Sequence, residues 1–342
     1  MISKRINITF AVMILAAASV ANAKATEVNL YSARQPFLMD PLLMAFTKKT
    51  KIKVNMVYLK KGMQERLKAE GANSPADLVL TSDIGNLHNL VKARLLQATQ
   101  SSVLSRNIPQ KYRHPDGLWY GLTTRARIIF AHKRRVGSGE VTRYEDLADS
   151  KMKGRICTRS GKHVYNVSLL ASIIAVKGEA FAEHWVRGVK ANLARKPQGN
   201  DRAQVKAVYQ GECDVALGNT YYMGKMQTNE KKPEQKKWAA SVNVIFPNQA
   251  GRGAHVNISG AGVTKSAKNK AAAIKLIEFL SDDVGQKIYA EGNFEYPVKV
   301  GVHLNPVVAN WGAFKADEAF LSKIAEHRVL ATRMMDRVRF DN

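Results

Sequence analysis

Residues 27–59, EVNLYSARQPFLMDPLLMAFTKKTKIKVNMVYL, decide the class of fold. The two ends of this stretch, 27–31 and 51–59, are short runs of strand-forming residues. Apolar side chains recur between them at helical spacing, at Leu38, Leu42, Leu43 and Phe46. A third strand is predicted over 76–81, after a polar turn. This strand–helix–strand order predicts an α/β fold with a parallel sheet covered by helices on both faces.

The same alternation restarts further along the chain. Strands are predicted over 127–131, 155–157, 214–217 and 242–246. Helices are predicted around 84–91, 165–176, 182–191, 203–209, 271–289, 311–314 and 320–330. A chain of 342 residues is too long for one small core, so we expect two lobes.

The predicted lobes are discontinuous in the chain, with crossovers near 124–127 and 246–249. We assign 24–125 with 248–310 to the first lobe and 126–247 to the second lobe. Residues 311–342 are expected to add helices that pack on the lobes. Hydrophobic residues make up 45% of the chain and charged residues 24%, which excludes wholesale disorder, collagen and a disulfide-dense miniprotein.

Residues 1–23 have the layout of a cleaved secretory signal. Lys4 and Arg5 precede a mostly apolar segment, and Ala21-Asn22-Ala23 forms a small-x-small cleavage site. No Arg-Arg pair is present in this segment, which favours Sec export over twin-arginine export. No later stretch approaches eighteen apolar residues, so we expect a soluble mature chain in the periplasm.

The chain is strongly basic, with 53 Lys and Arg against 28 Asp and Glu and a formal charge of +25. Such a charge suits nucleic acid, anionic lipid or an anionic ligand. The basic residues are dispersed along the chain and no nucleic-acid-binding motif occurs, so we expect no nucleic-acid partner. Zinc motifs, a Gly-x-Ser-x-Gly elbow and a P-loop do not occur either, so none of these motifs points to an enzyme. We expect a monomer and not an enzyme.

Two cysteines, Cys157 and Cys213, each lie in a strand-like run. In an oxidising compartment an even pair favours a disulfide, which adjacent strands would allow. The alternative of two buried free thiols stays open at this point.

Tyrosines are the most informative polar residues. Tyr221 and Tyr222 directly follow the predicted strand 214–217, and Tyr165 follows the strand 155–157 at the start of a helix. Ligands of open α/β sheets gather outside the C-terminal ends of strands, so three phenols can converge on one cleft. Packing roles for these tyrosines remain an alternative.

A small, highly charged cation such as iron(III) displaces the phenolic proton, as metals do with coordinating thiols and water. Three phenolates balance its three charges but fill half of an octahedral shell, so the remainder needs an anion or water. Arg34 and Arg125 are forked donors that suit a planar oxyanion such as carbonate, although solvated arginines are the commoner case.

Several sequence blocks, spread over nearly the whole chain after residue 23, match one family. They are LYSARQP (30–36), ADLVLTSD (76–83), WYGLTTRAR (119–127), YEDL (144–147), RICTRS (155–160) with Tyr165-Asn166, and ALGNTYY (216–222). With these blocks the chain resembles the periplasmic ferric-ion-binding proteins, bacterial relatives of transferrin that serve iron ABC transporters. The last block is the most specific, since solute-binding proteins in general share the others.

The resemblance implies a two-lobed type II periplasmic binding protein fold, each lobe a mixed sheet flanked by helices, with a hinge and a ligand cleft. It implies that Tyr165, Tyr221 and Tyr222 bind iron. Many members carry His-Tyr after the first-strand arginine, where this chain has Gln35 and Pro36. The chain therefore resembles the three-tyrosine subgroup, in which the first lobe gives iron no direct ligand.

In that subgroup carbonate or a similar synergistic anion completes the iron shell. The resemblance implies that Arg34 and Gln35 hold the anion, with Arg125 as a further anion contact or a neighbour of the tyrosines. We therefore expect iron(III), bare or as a chelate, to be captured and delivered to an inner-membrane ABC permease without catalysis.

Two alternatives stay open. The same fold can bind an organic or oxyanion solute such as a phosphate ester, with Arg34, Arg125 and Asn219 as contacts. An exported hydrolase or transferase is the second alternative, although no nucleophile–base pair in the sequence supports it.

Overall fold

The computed structural model of the chain describes residues 26–317, 319 and 321–342, so the predicted signal at 1–23 lies outside the described residues. The strands within these ranges are β1 (Glu27–Ser32), β2 (Lys53–Tyr58), β3 (Leu78–Thr81), β4 (Tyr120–His132), β5 (Ile156–Cys157), β6 (Val215–Asn219), β7 (Val242–Ile245), β8 (Val256–Val263) and β9 (Tyr296–Pro297). The helices there are α1 (Pro36–Thr50), α2 (Met63–Glu70), α3 (Ile84–Lys92), α4 (Ser102–Asn107), α5 (Val164–Lys177), α6 (Glu179–Ala191), α7 (Asp201–Gln210), α8 (Thr220–Gln227), α9 (Glu234–Ala240), α10 (Lys270–Ser281), α11 (Asp283–Asn293), α12 (Pro306–Ala309), α13 (Leu321–Glu326) and α14 (Arg328–Arg337).

The long strand β4 joins two regions of sheet, and every one of its 13 residues is buried. Its first half, up to Ala126, pairs antiparallel with β8, and its second half, from Arg127, pairs antiparallel with β6 and β7. The strand order is β2-β1-β3-β8-β4-β6-β5. We call β1, β2, β3, β8, β9 and the first half of β4 the first sheet, and β5, β6, β7 and the second half of β4 the second sheet.

Both sheets are mixed. Parallel pairing joins β1 to β2 and β3 in the first sheet, and β5 to β6 in the second. The strands β4 and β8 run antiparallel to their neighbours. The parallel pairing predicted for the first three strands is confirmed. The antiparallel strands β4 and β8 make both sheets mixed, as the family resemblance implies.

The strand β8, which lies inside the first sheet between β3 and β4, was not predicted from the sequence. Two of its residues are glycines, which weaken a strand signal. A Cβ atom on Gly260 would lie 2.8 Å from the carbonyl oxygen of Tyr120, and one on Gly262 would lie 2.7 Å from that of Leu118. The glycines therefore permit close approach of neighbouring backbone at this strand.

Helices cover the sheets and build separate cores. The helices α1 and α10 pack their apolar side chains against the first sheet, in a core that includes Phe46 and Leu276. A second core contains α5, α6, α13 and α14, and α13 also contacts α3. The helices α13 and α14 thus pack against α5, which is part of the site described below.

Three predicted helices differ from those observed. The stretch 271–289 is two helices, because Asp282 ends α10 and its side chain caps α11 by accepting a hydrogen bond from the Gly285 amide at 2.9 Å. Residues 311–314 are not helical, and the nearby helix is α12. The stretch 320–330 contains α13 and the start of α14, apart from residue 320, which lies outside the described residues.

The predicted disulfide between Cys157 and Cys213 is present, with the two Cα atoms 5.9 Å apart. It joins β5 to the residue that precedes β6 by two positions. The division into lobes at the predicted residue numbers stays a prediction. Among the helices in the described ranges, none combines the length and the apolar character that a membrane crossing requires.

Candidate metal centre

A cavity of about 130 Å³ lies between the two sheets and contains every predicted metal and anion residue in its wall. The predicted residues are Arg34, Gln35, Arg125, Tyr165, Tyr221 and Tyr222. Five further polar residues of the wall were not predicted from the sequence, namely Tyr58, Ser82, Arg202, Lys225 and Glu295. Residues that follow or end β1, β2 and β3 form one side of the cavity, as expected at the C-terminal ends of parallel strands.

The three tyrosines of the other side all lie in the first turns of helices. Tyr165 is the second residue of α5, and its amide donates a hydrogen bond to Nδ1 of the capping His163 at 3.3 Å. Tyr221 and Tyr222 are the second and third residues of α8, directly after β6. The positive end of a helix dipole stabilises negative charge. A phenolate at the start of α5 or α8 is therefore more stable than a phenolate in the interior of a helix would be.

The phenols are in mutual contact. The hydroxyl oxygens of Tyr165 and Tyr221 lie 3.0 Å apart, within hydrogen-bond distance. The rings of Tyr221 and Tyr222 stack with their centroids 4.3 Å apart. The structure therefore brings the three predicted ligands together in one cluster.

Two of these phenols, those of Tyr221 and Tyr222, are harder to ionise than phenol in water. Burial, together with the neighbouring phenols and Asp201, raises the pKa of Tyr221 well above its ordinary value. Burial likewise raises the pKa of Tyr222, to about 12. Both groups are therefore neutral at neutral pH, and a phenolate forms here when a cation displaces the proton.

Guanidinium groups surround the tyrosine rings. Arg202 lies over the ring of Tyr222 at 5.1 Å, and Arg159 lies over the ring of Tyr165 at 5.0 Å. Arg159 belongs to a buried network behind the tyrosines that centres on Asp201.

The carboxylate of Asp201 is fully buried and binds two arginines. It accepts hydrogen bonds from Arg127 at 2.8 Å, from Arg159 at 3.0 Å and from the backbone amide of Asn219 at 2.8 Å. The last bond holds the junction between β6 and α8. The network thus fixes the start of the helix that carries Tyr221 and Tyr222.

On the opposite side, Arg34 and Arg125 meet at one serine. Both donate to the Ser259 hydroxyl, at 2.5 and 3.1 Å. Arg34 also forms a two-pronged ion pair with Glu295, with nitrogen–oxygen distances of 2.8 and 2.9 Å. Glu295 therefore neutralises Arg34, whereas no carboxylate in the described part of the chain lies within ion-pair distance of Arg125.

Both arginines keep an unused donor. The Nε atom of Arg34 and one terminal nitrogen of Arg125 are buried and have no hydrogen-bond partner among the described residues. Gln35 is exposed at the N-cap position of α1, where its side chain makes no capping bond. Buried donors without partners are unfavourable, so this side of the cavity suits an acceptor-rich anion.

The wall contains four cationic side chains and one carboxylate, which is already paired. In the described ranges no three His, Cys, Asp or Glu side chains form a cluster that would hold a metal. Phenols are therefore the donors available to a cation in this cavity, and the surrounding positive charge admits a cation together with an anion.

The chain is similar to known proteins over most of its length. Residues 73–316 match the family model described as bacterial extracellular solute-binding protein. Iron uptake protein A1 of Synechocystis sp. (strain PCC 6803) is 47% identical over 311 residues, which cover 91% of this chain and 86% of that protein.

Two solved structures are also similar. The apo ferric ion-binding protein A of Pasteurella haemolytica is 48% identical with a TM-score of 0.88, over 93% of this chain and 99% of that chain. The Trichodesmium protein IdiA (FutA), in complex with iron and citrate ligands, is 46% identical with a TM-score of 0.86, over 91% of this chain and 99% of that chain. These likenesses confirm the predicted fold class.

Proposed function

Because the chain belongs to the bacterial extracellular solute-binding protein family, we propose that it is a periplasmic protein that binds iron(III) and delivers it to an ABC permease. Family membership confirms the expectation of a binding protein and not an enzyme. The similar proteins named above are ferric ion-binding and iron uptake proteins, which supports iron(III) as the cargo.

The observation that carries the proposal is the convergence of three phenols at two helix N-termini beside a cavity lined by cations. Tyr165, Tyr221 and Tyr222 would give iron(III) three phenolate oxygens and balance its charge. Hard oxygen donors of this kind suit iron(III), whereas the raised phenol pKa values disfavour softer cations that displace protons less effectively.

An anion would complete the shell from the other side of the cavity. Carbonate or a similar oxyanion fits the free donors of Arg34 and Arg125, and Gln35 lies at the rim to donate from its amide. The anion would also place a negative charge beside Arg125, which has no ion-pair partner among the described residues. In this arrangement the ion and its anion contact residues that flank both sheets.

Contact with both sides gives the ligand a preference for a closed cleft, which is what shifts a hinge equilibrium. We propose that a monomer with its 1–23 signal removed presents this closed form to an inner-membrane permease. Release would follow loss of the phenolate bonds, either by protonation or by reduction to the softer iron(II).

The test is a titration of the iron-free mature protein with ferric citrate. Phenolate-to-iron(III) charge transfer should colour the protein, and metal analysis after desalting should find one iron per chain. A protein that stays colourless and retains no iron would contradict the proposal.

Calorimetry with carbonate and with phosphate esters in the absence of iron tests the oxyanion alternative. We expect weak binding of either anion alone. Tight binding of a phosphate ester, together with no retained iron, would favour the solute-binding alternative.

A further inference from the structure

Asp83 is a buried carboxylate outside the cavity wall, and its hydrogen bonds connect the two sides of the cavity. Asp83 directly follows Ser82 of the wall, and it is fully buried at the junction of β3 and α3. Its Oδ1 atom caps α3 by accepting a hydrogen bond from the Gly85 amide at 2.8 Å, and Arg328 of α14 forms an ion pair with the same oxygen. The second oxygen of this carboxylate points to different partners.

The Oδ2 atom of Asp83 accepts a hydrogen bond from the hydroxyl of Ser168 at 2.9 Å. Ser168 is fully buried on α5 and lies three residues after Tyr165, so the two residues belong to the same helical turn. The bond therefore links the end of a first-sheet strand to the turn that carries one of the three phenols.

The same oxygen also accepts from Asn257 of β8 at 2.8 Å. Asn257 donates in addition to Ser168 at 3.0 Å, and its Oδ1 accepts from the Ile84 amide at 3.0 Å. In the pairing of β4 with β8, Asn257 stands opposite Arg125. The Asp83 carboxylate is thus hydrogen-bonded to α5 on the tyrosine side of the cavity and to β8, next to Arg125, on the arginine side.

Tyr221 and Tyr222 are anchored differently. Their helix α8 begins at the Asp201 network, and no group that donates to Asp201 also donates to Asp83 among the described contacts. Through Arg127, which donates to Asn166 at 2.8 Å, that network also contacts α5. The helix α5 is therefore held by both carboxylates, whereas α8 is held by Asp201. A change at Asp83 should therefore move Tyr165 relative to the other two phenols.

We propose that Asp83 is a positioning residue of the iron site. Through Ser168, its carboxylate holds the N-terminal part of α5, and with it the phenol of Tyr165, in contact with Tyr221. This inference rests on the proposed function, because its readouts need bound iron.

Two substitutions test it. Asp83→Asn keeps one oxygen for the α3 cap, replaces the oxygen that Ser168 and Asn257 share, and removes the charge that pairs with Arg328. Ser168→Ala removes only the hydroxyl and leaves the other partners of Asp83 in place. The matched control is Ser172→Ala, which alters a buried serine on the same helix whose hydroxyl bonds to Leu169 of that helix at 2.7 Å.

We expect both test variants to shift the visible charge-transfer band and to release iron about tenfold faster to a chelator, the size of one lost hydrogen bond to a charged group. Ser172→Ala should keep the band and a release rate within about twofold of the parent protein. If Asp83→Asn does not fold, Ser168→Ala and its control carry the test alone.

The decisive step is a double-mutant cycle. In a Tyr165→Phe background, Ser168→Ala should change the iron affinity by less than about twofold, whereas in a Tyr222→Phe background the effect should stay near tenfold. Equal effects in both backgrounds, or a Ser168→Ala protein that matches Ser172→Ala, would overturn the inference. Failure of the parent protein to bind iron would instead contradict the proposed function itself.

Discussion

The hydroxyl oxygens of Tyr165 and Tyr221 lie 3.0 Å apart, although the two residues are 56 positions apart in the chain. Their helices follow β5 and β6, which are adjacent parallel strands with Cys157 opposite Ala216. Neighbouring parallel strands end at the same edge of a sheet, so the two helices start side by side. The contact between the phenols is therefore a consequence of the strand order.

Replacing Tyr221 with Phe should weaken iron(III) binding by more than about 100-fold. Mutation of a residue that only hydrogen-bonds to a metal ligand typically lowers metal affinity by about 10- to 100-fold, and loss of a direct ligand should cost more. The charge-transfer band should also fade. A competition titration against a chelator measures the change. The control is Tyr209→Phe, on the exposed Tyr209 of α7, which should bind iron as the parent protein does. An unchanged band in Tyr221→Phe would remove this residue from the site.

The tyrosine cluster could be predicted from the sequence because each of the three tyrosines lies at the start of the helix that follows a recognisable strand. The same rule applies to Tyr58 and Ser82, which end β2 and follow β3, so these wall residues were accessible to sequence reasoning and were missed. Glu295 was not accessible, because its partner Arg34 is 261 positions away and no local pattern records such a pairing.

Local sequence patterns also predicted most of the helices and strands. The errors occur where a residue has a structural role that the pattern did not take into account. Asp282 was included in a long helix although its carboxylate caps the next one. In β8 the glycines allow close packing of neighbouring backbone, but they also weaken the sequence pattern from which a strand is predicted. Whether two strands pair in parallel or antiparallel depends on how the chain runs through the whole fold, as it does for β4 and β8. The periodicity of residues along a single strand carries no information about this direction.

Replacing Asp201 with Asn should lower the free energy of unfolding by about 3–5 kcal/mol. The substitution leaves Arg127 and Arg159 without the fully buried carboxylate that now pairs with both. Urea unfolding followed by circular dichroism measures the loss. Asp116→Asn is the control, since the Asp116 side chain is 79% exposed and its loss should change stability by less than about 0.5 kcal/mol.

A stability equal to that of the parent protein would show that the Asp201 network is not a main source of stability in this region. An intermediate loss would still separate Asp201→Asn from Asp116→Asn. In either case the iron titration of the folded variant shows whether the junction of β6 and α8 depends on this carboxylate.

Removing the disulfide should destabilise the protein by up to about 4 kcal/mol, the loop-entropy value for a separation of 56 residues. The suitable variant is Cys157→Ala with Cys213→Ala, because both positions are buried. Its urea midpoint should fall, and added reductant should lower the midpoint of the parent protein but not that of the variant. Equal midpoints for the parent protein with and without reductant would contradict the prediction.

Iron binding should release protons, because the pKa of Tyr222 is raised to about 12 and burial raises the pKa of Tyr221 well above its ordinary value. Both phenols are therefore protonated in the iron-free protein at neutral pH, and each must lose its proton to coordinate iron. We expect these two groups to release about two protons per iron. Calorimetry in buffers of different ionisation enthalpy counts the protons.

The sign of the pH dependence follows from this release. Protons compete with iron for the same oxygens, so affinity falls as the pH falls. The two protons displaced from Tyr221 and Tyr222 alone make this fall at least about 100-fold per pH unit. The trend persists at every pH below the phenol pKa values, so acidification favours release throughout the accessible range. The double variant Tyr221→Phe with Tyr222→Phe should release two fewer protons for any iron that it still binds. A parent protein whose iron affinity rose on acidification would show that these phenols do not ionise on binding, and that neutral groups or the anion hold the metal.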